Sequence, residues 1–153
     1  MPFRLLSLHL SFCLLAGTAL AQERQWTLDA SDQDAYLVFG VPESDDLGLS
    51  LWCPIRKGMV NVFVPETGER LGSGKTIPIT LKAGDETVEI KGKTEENLDA
   101  GVASAEGQVA ADHPIFEAMT KADRFYVNVG AQEIILPLME ADVQGLLDLC
   151  RKE

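Results

Sequence analysis

The chain has 153 residues, with 13 basic residues against 24 acidic ones, which gives a formal charge of −11 at pH 7. This length suits one domain that is large enough to bury a core. The acidic excess argues against binding to nucleic acid or to an anionic membrane surface, because both require clustered positive charge.

The first 21 residues have the composition of a secretory signal peptide. Arg4 precedes a mainly apolar run, which ends at Ala19-Leu20-Ala21, a pattern that a signal peptidase could cut. A membrane anchor is the alternative, but the apolar stretch is short for a bilayer span of about 20 residues. The sequence therefore predicts a signal peptide over 1–21, export to the periplasm with cleavage after Ala21, and a single β-rich domain over 22–153.

Cleavage would leave a soluble domain with two cysteines. It removes Cys13 and one arginine, so that 12 basic residues remain against 24 acidic ones and the formal charge becomes −12. In an oxidising compartment an even number of cysteines indicates a disulfide, here between Cys53 and Cys150. A free pair of thiols or a metal site is the alternative, but two distant thiols and one histidine, His113, are a poor ligand set for zinc.

Alternating apolar residues predict short strands along most of the domain. Leu37, Phe39 and Val41 share one face of the first strand. In the clearest strand, Leu49, Leu51 and Cys53 point one way and Trp52 points the other. Further strands are predicted over 59–64, 76–81, 87–91, 102–110, 125–129 and 134–138, and a solvated polar loop over 92–101.

Two helices complete the predicted fold. Asp112-His113-Pro114 combines capping residues with a proline suited to a first turn, which predicts a short helix near 113–122. Apolar residues and Cys150 recur at helical spacing near the end of the chain and predict a helix near 140–151. About eight short strands separated by turns favour an antiparallel β-sandwich or a small barrel. A disulfide to Cys150 would hold the last helix against this sheet.

The residues that could carry catalysis do not meet the requirements of known motifs. Gly72-Ser73-Gly74-Lys75 is similar to a phosphate-binding loop but lacks its first glycine, and Ile77-Pro78-Ile79 follows in place of a helix. A hairpin loop is expected instead. Ser73 is not in a nucleophile elbow, and His113 is expected to cap a helix or lie at the surface. The sequence therefore predicts no catalytic residues, no cofactor and no enzymatic activity.

Three groups of acidic residues raise two further alternatives, a calcium site and a glycoside-hydrolase-like carboxylate pair. The spacing of Asp29, Asp32 and Asp34 does not match a calcium-binding loop, and a domain of this size offers little room for a catalytic cleft. A solvated surface is expected, with a weakly held calcium ion left open. The groups are Asp29, Asp32 and Asp34; Glu43, Asp45 and Asp46; and Glu95, Glu96 and Asp99.

Trp52 allows two interpretations, because it alternates away from the leucine face of its strand. It lies either in a second buried layer or at the surface as a binding residue. The buried position is favoured, since large aromatic side chains usually bury area. If exposed, Trp52 is the best candidate for a contact residue.

Three features together resemble bacterial periplasmic proteins. These are Trp26 soon after the signal peptide, the strand at 49–53 with Trp52 and Cys53, and the amphipathic terminal helix that ends at Cys150. They resemble the invasion-associated locus B-like proteins and a periplasmic family associated with type VI secretion. The resemblance implies an envelope protein with a β-sandwich-like domain, no known enzymatic activity and no catalytic residues to carry over.

The function predicted is that of a non-enzymatic periplasmic binding or accessory protein. It would contact an envelope or secreted protein through an edge strand or an exposed patch, without nucleic acid or membrane insertion. One alternative is a small inhibitor of a cationic hydrolase such as a lysozyme, with a loop such as 92–101 or 72–75 in the enzyme's cleft. A carboxylate-based hydrolase is the second alternative, and it requires two converging carboxylates of raised pKa.

Overall fold

A computed structural model of the chain describes residues 23–152, which form nine strands and two short helices. The predicted signal peptide and its cleavage site lie outside the described residues. The mainly β class is confirmed. In chain order the elements are β1 (Gln25–Ala30), β2 (Asp34–Gly40), β3 (Leu47–Pro54), β4 (Met59–Val64), β5 (Thr76–Ala83), β6 (Glu86–Asn97), β7 (Val102–Ala110), α1 (Pro114–Met119), β8 (Arg124–Val129), β9 (Gln132–Pro137) and α2 (Val143–Cys150).

All nine strands belong to one antiparallel sheet that curls into a half-barrel. Their order is β1-β2-β3-β4-β7-β6-β5-β8-β9, so β1 and β9 are its two edges. The first four strands follow one another, and β7 then pairs with β4 along the whole length from Met59↔Ala110 to Val64↔Ala105. Of the two predicted architectures, the structure has the barrel-like one, with β1 as an additional strand.

The concave side of the sheet holds the core, and both helices close the same end of it. That is the end where β3, β5 and β7 finish and where β2, β4 and β6 begin. There α1 packs against β5 and β6, while α2 packs against β2 and β3. Burying one large apolar side chain of a helix contributes about 1.5–3 kcal/mol. The fully or nearly fully buried helix residues are Ile115, Phe116, Met119, Val143, Leu146, Leu147 and Cys150.

The predicted disulfide between Cys53 and Cys150 is confirmed, with a Cα–Cα distance of 5.7 Å. It joins the end of β3 to the last residue of α2. Two backbone hydrogen bonds support the same junction: the amide of Arg56 donates to the carbonyl of Leu149, and that of Gly58 donates to the carbonyl of Cys150, both at 2.8 Å. The bridge therefore clamps the terminal helix to the sheet.

Two glycines allow the inner layer of the curled sheet to pack closely. A Cβ atom at Gly92 would lie 2.7 Å from Cδ1 of Ile79, and one at Gly107 would lie 2.8 Å from Cδ1 of Ile90. Both distances are shorter than non-bonded carbon atoms tolerate. The isoleucines occupy the space that side chains at these two positions would need.

The prediction of a polar loop over 92–101 is wrong. The strand β6 continues to Asn97 and pairs with β7 from Lys93↔Glu106 to Asn97↔Val102, so only the tip at 98–101 is a turn. The alternation was hidden because Gly92 and Thr94, and not large apolar residues, occupy the inward positions. Pro78 is accommodated in β5, an internal strand, because the ladder of β5 with β8 begins only at the next residue, Ile79↔Val129.

Candidate functional site

A row of four side chains crosses the outer face of the sheet, opposite the core. Tyr36 on β2 is in register with Trp52 on β3, Trp52 with Asn61 on β4, and Asn61 with Gln108 on β7. Their sequence neighbours point inward and are buried. The alternation of side chains along each strand therefore brings two aromatic rings and two amides together on the convex surface.

The position of the Trp52 ring is determined by contacts on two sides. It stacks on Tyr36 with ring centroids 5.8 Å apart and planes 16° apart. Its Nε1 donates a hydrogen bond of 2.9 Å to Oε2 of Glu106, which lies two strands away on β7. The indole therefore reaches across β4. We call Tyr36, Trp52 and Glu106 the aromatic platform.

Two amide side chains support the platform on the β4 side. Nδ2 of Asn61 donates to the backbone oxygen of Trp52 at 3.3 Å, and Nε2 of Gln108 donates to Oδ1 of Asn61 at 2.8 Å. Asn61 is only 3 % exposed although it lies on the outer face. A buried amide needs such partners, because an unsatisfied one costs about 1–3 kcal/mol. The network therefore fixes the surface beside the indole.

The expectation that Trp52 belongs to a buried layer is wrong. Trp52 is half-buried, and the cover that it has on the outer face includes the Tyr36 ring. Tyr36 itself keeps 39 % of its surface exposed. An aromatic residue can thus bury area on a sheet surface by lying across a neighbouring strand. The role of Trp52 in contacting a partner stays a prediction.

Charged side chains lie at both ends of the aromatic pair. Asp29 on the edge strand β1 is directly opposite Tyr36 and is exposed, while Glu106 accepts the indole hydrogen bond at the other end. Lys93 is opposite Glu106 on β6, but its Nζ donates to Oγ1 of Thr76 at 2.8 Å. The stacked pair of Tyr36 and Trp52 thus lies between two carboxylates.

The three acidic groups lie on separate turns. One is on the β1–β2 hairpin, one on the β2–β3 turn and one at the β6–β7 tip, and all nine side chains are exposed except half-buried Asp34. Asp45 and Asp46 line a cavity of about 270 Å³ together with Glu66, where Asp46 pairs with Arg24 at 2.5 Å. A catalytic acid usually needs burial in apolar surroundings to raise its pKa. The three groups lack such surroundings.

The described part of the chain offers no set of ligands for a metal ion. Among residues 23–152, no three His, Cys, Asp or Glu side chains come together in a way that could hold a metal ion. His113 instead caps α1, because its Nδ1 accepts a hydrogen bond of 3.1 Å from the amide of Ile115. This confirms one of the two roles expected for His113.

The segment at 72–75 is not a hairpin loop, because it joins β4 to β5, which are not neighbours in the sheet. Oγ1 of Thr94 donates to the carbonyl of Gly72 at 2.7 Å and accepts from the amide of Lys75 at 3.0 Å. The amide of Glu96 donates to Oγ of Ser73 at 3.0 Å. A strand follows this segment and no helix does, so its geometry differs from that of a phosphate-binding loop.

The two sheet edges offer a second kind of contact surface. Ile135 on β9 is 47 % exposed, and Met139 just after β9 is also exposed. A hydrogen bond links the two edges, because Nε1 of Trp26 on β1 donates to the carbonyl of Pro137 on β9 at 2.5 Å. Unpaired strand edges can bind an extended segment of another chain.

Tyr36 and Glu106 were not singled out from the sequence. A signal for Tyr36 was present, because it alternates with Leu37 just as Trp52 alternates with Leu51. Pairing the two strands in antiparallel register places both rings on one outer face. Glu106 carried no comparable signal, since its partner Trp52 lies 54 positions away and two strands across.

Comparisons with family models, curated proteins and solved structures found no match to this chain. The resemblance to periplasmic families therefore stays a prediction. No helix among residues 23–152 is long and apolar enough to cross a membrane. A function has to be inferred from the geometry of the surfaces described above.

Proposed function

We propose that this chain is a non-enzymatic binding or accessory module of the bacterial envelope that holds another protein through the aromatic platform. The observation that carries the proposal is the stacked pair of exposed Tyr36 and half-buried Trp52 on the outer face. Tryptophan and tyrosine are enriched among the few residues that supply most of the binding energy of protein interfaces. The core lies on the other side of the sheet, so this pair is not needed to fill it.

The fixed geometry of the platform favours binding. Immobilising a flexible side chain at an interface costs about 0.5–1.5 kcal/mol. In the platform, ring stacking and the hydrogen bond from Trp52 to Glu106 hold the indole before a partner arrives. More of the interaction energy is then available for affinity.

Periplasmic location is part of the same proposal. Its support is the signal-like composition of residues 1–21 and the disulfide between Cys53 and Cys150, a bond typical of oxidising compartments. The acidic charge of the domain would favour a partner with a basic surface and would speed their encounter.

Affinity capture from an envelope extract tests the proposal. The bait is compared with two platform variants, Tyr36→Ala and Trp52→Phe, and with the control Ile135→Ala, which removes an exposed apolar side chain elsewhere on the sheet. We expect one specific protein to be recovered with the unchanged chain and the control, and to be lost or strongly reduced with both platform variants. Circular dichroism verifies that all baits are folded.

Three outcomes of the capture separate the alternatives. Recovery of background proteins alone contradicts the proposal of a binding module. Recovery that is unaffected by changes at Tyr36 and Trp52 contradicts the role of the platform. Loss of recovery with Ile135→Ala alone would assign the contact to the edge strand β9.

A second candidate function, inhibition of a cationic hydrolase such as a lysozyme, is favoured by the β6–β7 tip. Leu98 is 81 % exposed there and is flanked by the exposed carboxylates of Glu96 and Asp99. The neighbouring segment 72–75 is attached to this tip through the hydrogen bond between Ser73 and Glu96. A projecting apolar residue among carboxylates suits a cleft that carries positive charge.

A lytic assay on bacterial cell walls tests this candidate. Inhibition of lysozyme by the unchanged chain, weakened by Leu98→Ala and unaffected by Ile135→Ala, is the expected result. Absence of inhibition at a large molar excess of the chain would remove the candidate.

A further inference from the structure

We propose that the aromatic platform recognises an arginine side chain of its partner, with the guanidinium group over the Tyr36 ring and paired with Asp29. The inference rests on the proposed function and names the chemistry that the partner would present. An arginine fits better than a lysine, because its planar cation stacks on aromatic rings and forms paired hydrogen bonds with a carboxylate.

The register of the sheet places Tyr36 between an aromatic ring and a carboxylate. Trp52 is opposite Tyr36 on the β3 side and Asp29 is opposite it on the β1 side, all on the outer face. Directly opposed residues of antiparallel strands have Cβ atoms about 4.5–5.5 Å apart. Trp52 covers one face of the tyrosine ring, and 39 % of the Tyr36 surface remains open to a ligand.

The charges around the ring favour a cation. The face of an aromatic ring carries negative charge density and attracts ammonium and guanidinium groups within about 6 Å of its centre. Asp29 and Glu106 add carboxylates at the two ends of the pair. Lys93, which is opposite Glu106, lies on β6, four strands away from Tyr36 on β2 in the strand order, and its Nζ donates to Thr76.

A glycan is the competing ligand, since sugar rings also stack on aromatic side chains. The placement of two carboxylates beside the pair favours the cation, because a neutral sugar gains no charge pairing from them. Glycan binding is therefore an outcome of the test that would overturn the inference.

Nuclear magnetic resonance on the purified, disulfide-bonded protein provides the test. The chain has two tryptophans, so the indole N–H of Trp52 reports on the platform and that of buried Trp26 serves as an internal control. The probes are Nα-acetyl-arginine amide, Nα-acetyl-lysine amide and triacetylchitotriose. We expect the arginine probe to move the Trp52 signal in a saturable, salt-sensitive way, with a smaller response to lysine and none at Trp26.

Variants identify the groups responsible. Asp29→Asn should lower the affinity for the arginine probe about two- to fivefold, as expected for an exposed charge pair. Tyr36→Leu should abolish the saturable shift. The control Glu133→Gln neutralises an exposed carboxylate on β9 and should not change the affinity for the arginine probe.

Failure of this inference can be told apart from failure of the proposed function. No shift of Trp52 with arginine, an unchanged affinity in Asp29→Asn, or a stronger response to triacetylchitotriose would each overturn the arginine site. If capture of a partner protein still depends on Tyr36 and Trp52, the proposed function stands and the contact uses other chemistry. If capture does not depend on them, the proposed function fails, whatever the arginine probe does.

Discussion

Reduction of the Cys53–Cys150 bridge should cost the domain a large part of its stability. The bridge closes a loop with a sequence separation of 97 residues. In the chain-entropy model, a loop of this length stabilises the folded state by about 4.7 kcal/mol at 25 °C, because it restricts the unfolded chain. The folded state keeps other attachments of α2, including buried Leu146 and Leu147 and the backbone hydrogen bond to the carbonyl of Leu149. The main cost therefore arises in the unfolded state.

Urea unfolding of the oxidised and the reduced protein measures this cost. We expect the free energy of unfolding to fall by about 4–5 kcal/mol on reduction, and the melting temperature to fall by about 15 °C. The double variant Cys53→Ala/Cys150→Ala serves as the control, since a reductant should not change its stability. A loss below about 1 kcal/mol would refute the reasoning. Hydrogen exchange at the amides of α2 should also quicken, because the helix then loses its covalent attachment.

Three further substitutions test other parts of the fold. Gly107→Ala should lower the free energy of unfolding by about 1–3 kcal/mol, since its methyl group would lie 2.8 Å from a neighbouring isoleucine; an unchanged urea midpoint would contradict close packing there. Thr94→Val should cost about 1–2 kcal/mol and speed hydrogen exchange in segment 72–75, because the hydroxyl that holds this segment is lost; unaltered exchange would count against that role. The hydrogen bond from Lys121 holds the pKa of Glu117 below its ordinary value of 4.5. Ionised Glu117 should therefore stabilise the folded state slightly, compared with the variant Glu117→Gln. This stabilisation should be complete above pH 4.5 and should disappear as the pH falls through the lowered pKa, and thermal melts of both proteins at several pH values measure it.

The strands with one apolar face could be predicted from the sequence because burial imposes a period of two. Leu49, Leu51 and Cys53 are an example, and all three are buried. The same rule failed for the second half of β6, where Gly92 and Thr94 take inward positions. Gly92 leaves room for an isoleucine, and Thr94 is needed for its hydroxyl. An inward position that requires a small or a polar residue interrupts the alternation of apolar residues, so the alternation does not identify it as part of a strand.

The architecture and the platform depend on which strands become neighbours. The sequence could not distinguish a sandwich from a barrel, because it does not indicate that β7 pairs with β4. The contact between Trp52 and Glu106 exists only after that pairing, since Glu106 lies on β7. Tyr36, by contrast, could have been placed beside Trp52, because their strands are consecutive. Local patterns thus predict elements and adjacent pairs, while longer-range strand order determines the rest.

The pairing of β4 with β7 also has a consequence for how quickly the chain folds. It is the ladder that joins the consecutive strands β1–β4 to the rest of the sheet, and its partners Val64 and Ala105 are far apart in sequence. Closing such a loop costs entropy before the contacts that stabilise it have formed. Proteins rich in distant pairings therefore fold on the millisecond-to-second scale. The hairpins β1–β2 and β8–β9 should form early, and the joining of the two halves should limit the rate. Until then the edges of β4 and β7 are open to pairing with other chains, so the slow step is also where aggregation would compete.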